Sequence, residues 1–177
     1  MIQRGASAPA VWSKEESERM NTTISKVIVL VTASAIGLLA ADNSIGTWKR
    51  NIEKSKASRP SKNPLKNLTT VREGIEGGVR VTIKGVRVDG SPVDAAYTLK
   101  YDGSPTELTG SDGAFDRISV KQVDANTLLI ENWKVGGKYR TTGKSVVSPD
   151  GQTMTNVSSG TDADGNAFNL TVVYEKQ

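Results

Sequence analysis

Cysteine and histidine are both absent from this chain of 177 residues. The first absence excludes disulfides, thiolate catalysis, Cys-ligated metals and a lipid-modified N-terminal cysteine. The second removes the commonest general base, nucleophile activator and imidazole metal ligand. Aromatic residues make up only 5% of the chain, so a core must be filled by small aliphatic side chains and is expected to leave space. The acids cluster in turns, where Asp is favoured for backbone reasons, and no two carboxylates stand out as an acid and base pair. Asp162-x-Asp164-Gly165-Asn166 resembles the start of a calcium loop but lacks the later glutamate, so a plain hairpin turn is expected there. No enzyme activity, no cofactor and no metal site is expected.

Long apolar runs are equally scarce, with one exception. From Val27 to Ala41 the chain carries no charge; Lys26 precedes the run and Asp42-Asn43-Ser44 follows it. A basic flank, an apolar stretch of about 15 residues and a small-residue exit are the layout of a secretory signal, and the stretch is shorter than a spanning helix needs. Cleavage is expected after Ala40 or Ala41, with retention as a membrane anchor and a buried helix as the alternatives. Residues 1–19 carry Arg4, Lys14, Glu15, Glu16, Glu18 and Arg19, a mixed-charge leader that sits badly before a signal. Met20 is a more ordinary start than Met1. The expected organisation is a disordered leader or mis-assigned start over 1–19, a signal peptide over 20–41 and one domain over 42–177. Export without disulfides points to a bacterial periplasm or exterior, and in that setting the Asn-x-Ser/Thr sites at Asn21, Asn67, Asn156 and Asn169 carry no meaning.

What fills residues 42–177 is period-2 alternation cut by turn residues every 10 to 12 positions. The turns are Glu76-Gly77-Gly78, Val88-Asp89-Gly90-Ser91, Tyr101-Asp102-Gly103-Ser104, Ser111-Asp112-Gly113, Val123-Asp124-Ala125-Asn126, Val135-Gly136-Gly137-Lys138, Pro149-Asp150-Gly151 and Asp162 to Asn166, and their Asp-Gly and Gly-Gly pairs supply the positive φ that tight hairpins require. Strands are predicted near 46–54, 67–75, 78–88, 93–101, 105–109, 115–123, 126–135, 138–147, 152–160 and 166–176. Eight to ten antiparallel strands in sequence order form a meander, which escapes open edges by closing into an up-and-down β-barrel. The fold class expected is therefore all-β, a single antiparallel barrel. Val79, Val81 and Ile83 keep one parity and Val86 and Val88 the other, which a bulge at Gly85 explains. In the last strand Phe168, Leu170, Val172 and Tyr174 share one face.

Charge is unevenly spread. From Trp48 to Arg87 there are eleven basic and three acidic residues, a local +8, whereas Val88 to Gln177 has eight against twelve, or −4. Lys49, Arg50, Lys54, Lys56, Arg59, Lys62 and Lys66 form a basic segment that reads either as a surface for an anionic partner or as a solvated loop. Nucleic acid is excluded as a partner because the segment has no interleaved aromatics.

Gly46-Thr47-Trp48-Lys49 at the start of the first strand, with Val173-Tyr174-Glu175-Lys176 in the last, resembles the lipocalin and fatty-acid-binding-protein superfamily, the calycins. The resemblance implies that Gly46 and Trp48 belong to a structural plug across the closed end of the barrel. It also implies that Tyr174 contacts ligand, where the fatty-acid binders place an arginine two positions before the tyrosine. Val172 stands at that position here. A neutral side chain cannot hold a buried carboxylate, so the ligand is expected to be neutral or weakly polar and to lie against Tyr174, Val172 and Leu170. Arg140, in an interior strand, could compensate if it points inward, which parity alone does not decide. Together these readings describe an exported, monomeric, non-catalytic binder of a small apolar or amphipathic molecule. The alternatives are a filled barrel acting through its surface and a lipocalin-like isomerase.

Overall fold

The computed structural model describes residues 42–59, 61–108 and 114–177, and the leader and signal readings over 1–41 lie outside the described residues apart from the exit at Asp42. Ten strands follow one another: β1 (Gly46–Ala57), β2 (Leu65–Ile75), β3 (Gly78–Arg87), β4 (Pro92–Lys100), β5 (Asp102–Glu107), β6 (Arg117–Gln122), β7 (Thr127–Trp133), β8 (Arg140–Val147), β9 (Thr153–Thr161) and β10 (Ala167–Lys176). No helix occurs among the described residues. All the pairings are antiparallel, in the order β4-β3-β2-β1-β10-β9-β8-β7-β6-β5, so the first and last strands are neighbours in mid-sheet. The hairpins turn on Gly77, Gly90, Gly136, Gly151 and Gly165, each with positive φ.

In several turns an aspartate accepts a hydrogen bond from the backbone N–H two residues on: Asp89 from Ser91 at 2.9 Å, Asp150 from Gln152 at 3.0 Å and Asp162 from Asp164 at 3.0 Å. Asp162 Oδ1 also accepts from the Asn166 amide at 2.8 Å, so its carboxylate serves the hairpin.

The sheet curls until its edges meet. β4 and β5 share no ladder but run into one another at Tyr101, whose amide donates to Gly77 O at 2.9 Å and whose carbonyl accepts from the Gln122 amide at 3.2 Å. The result is a nearly closed ten-stranded up-and-down barrel. Its inner face carries two apolar clusters. Val79, Val81, Leu99, Leu108, Ile118, Val120 and Leu128 form one wall. Trp48, Val147 and Met154, with Tyr174 against them, form the other, at one end of the barrel. Alternation sorts the faces: Leu128 is 3% exposed and its outward neighbour Leu129 is 46% exposed.

Two details of the strands differ from the sequence reading or extend it. The register break expected at Gly85 falls on the opposite strand, between Leu65 and Asn67 of β2, while β3 runs past Gly85 in unbroken register with β4. Gly85 is small because Asn67 O would lie 2.5 Å from a Cβ there. Without a bulge in β3, Val88 stays outside and is 65% exposed. At the barrel end, Gly46 adopts φ +130, and a Cβ there would meet Lys176 Cε at 2.9 Å. The glycine thereby lets the Lys176 ammonium reach 5.2 Å from the centroid of the Trp48 ring.

Trp48 is fully buried, and its indole N–H donates to Ser44 O at 2.8 Å. Truncation to alanine removes a large buried ring and leaves that carbonyl without its donor, at a cost of about 3 to 5 kcal/mol. Trp48→Ala is expected to lower the denaturant midpoint accordingly; a midpoint within error of the parent would show that the ring does not hold this end together.

Candidate functional site

The interior is not filled. Two adjoining cavities, of about 230 Å³ and about 160 Å³, lie inside the barrel and share Tyr174, Ile130, Asn132 and Asn156 in their walls. The space arises from small inward residues. Cross-strand from Leu170 come Ser158 on β9 and Gly143 on β8, where longer side chains would have met in the middle. A third pocket of about 390 Å³ opens at the end opposite Trp48, between the β1–β2 connection and the start of β10. It shares Arg50 and Leu170 with the larger interior cavity.

Around these cavities runs a polar belt. Arg50, paired across the ladder with Tyr174, lines the larger cavity, and its Nε is buried with no hydrogen-bond partner. Thr70 Oγ1, Asn132 Oδ1 and Asn156 Oδ1 are likewise buried and unpartnered. Asn132 is anchored on its other side, its Nδ2 donating to Thr141 Oγ1 at 3.3 Å. No acidic side chain lines any of the three cavities.

Arg72 is a different kind of cation. Its Nε donates to Ser44 Oγ at 3.1 Å and one terminal nitrogen to Tyr101 Oη at 3.2 Å, and Tyr101 Oη in turn donates to Asp42 Oδ2 at 2.5 Å. That chain ties the N-terminal segment to the strand junction, so Arg72 is occupied by the fold.

Burial is the main cause of the shifts in the interior phenols. It pushes Tyr97 up to about 12, with the Tyr174 ring adding to the rise and Arg72 opposing it. Tyr174 is raised in the same way, with Arg50 and Arg72 opposing. Tyr174 is partly buried and lines both interior cavities.

Of the residues singled out from sequence, Tyr174, Val172 and Leu170 all line the larger cavity. Arg140 does not. It is exposed on the outer face and pairs with Glu131. Arg50 corrects the sequence reading in the other direction, because it belongs to the interior rather than to the basic surface segment. The signal was present in its parity with Trp48 two positions earlier. Lys49, Lys54, Lys56, Arg59, Lys62 and Lys66 are exposed, Lys54 pairing with Glu175 at 2.9 Å and Arg59 approaching Asp162 at 3.8 Å. Arg72, Tyr97, Asn132 and Asn156 escaped the sequence reading because inward polar residues in a strand look like outward ones.

No group of three or more acidic residues converges as a metal site among the described residues. No protein-family model matches the chain, and no curated protein sequence is significantly similar to it. Among solved structures it is similar to EF1p2_mFAP2b bound to DFHBI, at 13% identity over 76% of this chain and 94% of that one, with a TM-score of 0.41. It is also similar to a redesigned β-barrel, mFAP1, bound to DFHBI, at 14% identity over 76% and 95%, with a TM-score of 0.38. Likenesses of this strength add nothing to what the strand pairing establishes.

The Tyr97 shift has a defined consequence for stability. A phenol whose folded pKa lies above its ordinary value near 10 contributes stability that is complete below pH 10 and is lost as pH rises toward 12. Thermal unfolding is expected to weaken over that window, and Tyr97→Phe to flatten the decline; an unchanged slope in the variant would show that Tyr97 does not titrate as a buried group.

Proposed function

We propose that this protein is a non-catalytic binder of a small amphipathic organic molecule held inside the barrel. The observation that carries the reading is the pair of interior cavities, walled by apolar strands and ringed by unpartnered polar atoms. Burying a polar group without a partner is costly, and a protein that retains several around one space has a use for them. Concave, largely apolar sites with a few convergent polar groups are where small molecules bind. The cavities weigh against a filled barrel that acts only through its surface. The absence of histidine and cysteine weighs against catalysis. The reading includes export by a signal over 20–41, removed after Ala40 or Ala41, as small-molecule binders outside the cytoplasm require.

A neutral, environment-sensitive dye is expected to bind the 42–177 domain saturably, at one site. Val172→Phe, which projects a ring into the larger cavity, is expected to weaken that binding at least about tenfold while the circular dichroism spectrum stays that of a β-barrel. Equal binding by a folded Val172→Phe variant, or no saturable binding by the parent, would overturn the interior site.

A further inference from the structure

Two cations line the larger cavity without a partner among the described residues, Arg50 and Lys144; Lys144 belongs to the outward row of β8 and is exposed, which leaves Arg50 as the inward one. Arg72 is spent on Ser44 and Tyr101. Lys54 and Arg59 face carboxylates, and Arg140 pairs with Glu131 on the outer face. Arg50 alone among these has a side chain with no hydrogen bond or ion pair to a described residue, has its Nε buried, and lies in a cavity with no acid in its wall. A guanidinium is always charged and carries donors in a planar fork that matches a carboxylate. Half-buried, with its Nε enclosed and no counter-charge in the cavity wall, it is an anion site in want of its anion.

The rest of the belt narrows the class further. Asn132 Oδ1 and Asn156 Oδ1 are unpartnered acceptors that line both interior cavities, and Thr70 Oγ1 is an unpartnered hydroxyl that can donate or accept. Acceptors call for donors on the ligand. Cavities of about 230 and 160 Å³ suit a compact body better than a long extended chain. The apolar lining of Ile130, Leu170 and Val172 beside Tyr174 suits a flat, partly apolar ring.

We infer that the ligand is a compact organic acid that also carries a hydroxyl or amino donor, its carboxylate on Arg50 and its donor on Asn132 and Asn156. This rests on the interior-binding reading and makes it specific. It replaces the neutral ligand that Val172 suggested, because the cation is supplied by the first strand rather than the last. The pocket at the barrel end, lined by Arg59, Arg87 and Lys56 and joined to the interior through Arg50, gives such an anion an attractive way in.

The test is displacement of the neutral dye by three probes: para-hydroxycinnamate, its methyl ester and unsubstituted cinnamate. The acid is expected to bind about tenfold or more tightly than the ester, which lacks the charge, and several-fold more tightly than cinnamate, which lacks the donor. Arg50→Gln should abolish the preference for acid over ester, and Arg50→Lys should retain part of it; Arg140→Gln should change neither. Equal displacement by acid and ester in the parent protein overturns the inference whatever the variants do. So does a preference that survives in folded Arg50→Gln, or tighter binding of decanoate than of para-hydroxycinnamate. Failure of the dye itself to bind is a different result, and it removes the interior site altogether.

Discussion

Tyr101 is where an open sheet becomes a barrel. Ten strands in meander order leave two edges, and the chain passes directly from one edge strand to the other through this residue. Its backbone amide and carbonyl reach Gly77 and Gln122, and its hydroxyl links Asp42 and Arg72. Three parts of the molecule that are far apart in sequence are fixed by one residue, through its backbone and its hydroxyl together. Without that junction β4 and β5 would present unpaired backbone groups, and the inner face would become one side of a flat sheet rather than the wall of a cavity. Arg72 is drawn into the same network, so its donors are engaged by Ser44 and Tyr101 while the Nε of Arg50 has no partner.

The two ends of the barrel are built on opposite principles. At one end Trp48, Val147 and Met154 pack into a buried cluster, Ser44 satisfies the indole, and Lys176 lies over its ring. At the other, Phe115 stacks on Tyr139 with centroids 5.7 Å apart, Tyr139 reaches Phe168 at 6.0 Å, and arginines line the remaining wall. Between them lies the polar belt, which contributes nothing to stability in its present form and costs several unmade hydrogen bonds. The apolar wall from Val79 to Leu128 and the Trp48 end supply the burial that lets the domain tolerate that cost.

Much of the fold was legible because its signals are local. Alternation and most of the Asp-Gly and Gly-Gly turns placed the strands, and the chain order of the hairpins implied the meander, although Tyr101-Asp102-Gly103-Ser104, read as a turn, passes straight into β5 and Ser111-Asp112-Gly113 lies outside the described residues. The bulge was assigned to the wrong strand because a change of parity in β3 looks the same whether β3 or its partner carries the irregularity, and only the pairing of Asn67 with Val86 distinguishes them. The site was harder. Parity placed Leu170, Val172 and Tyr174 together, since an apolar row on one face marks itself. Arg50, Asn132 and Asn156 sit inward where a strand pattern normally shows apolar residues, and a polar residue in such a row is read as loop, bulge or outer face. Arg140 was the reverse case, a cation in a central strand whose outward direction was fixed by its position opposite Trp133 and Thr161 and by the nearby Glu131.

The irregular course of β1 connects these points. Asn51 pairs with Val173, yet Lys56 pairs with Thr171, so β1 spends several extra residues against two steps of β10. Ser55 repairs the gap, its hydroxyl donating to Asn51 O at 2.6 Å and accepting from the Val173 amide at 3.1 Å. In a regular ladder Ile52 would follow Trp48 and Arg50 inward and would lie opposite Val172, at the barrel-end side of the cavity. The bulge instead swings Ile52 out to 40% exposure and leaves Arg50 as the last inward residue of the strand before the opening. A local distortion held by one serine therefore sets three properties at once: the cavity communicates with the outside, a guanidinium stands at the neck, and the phenol of Tyr174 lies directly across the ladder from it.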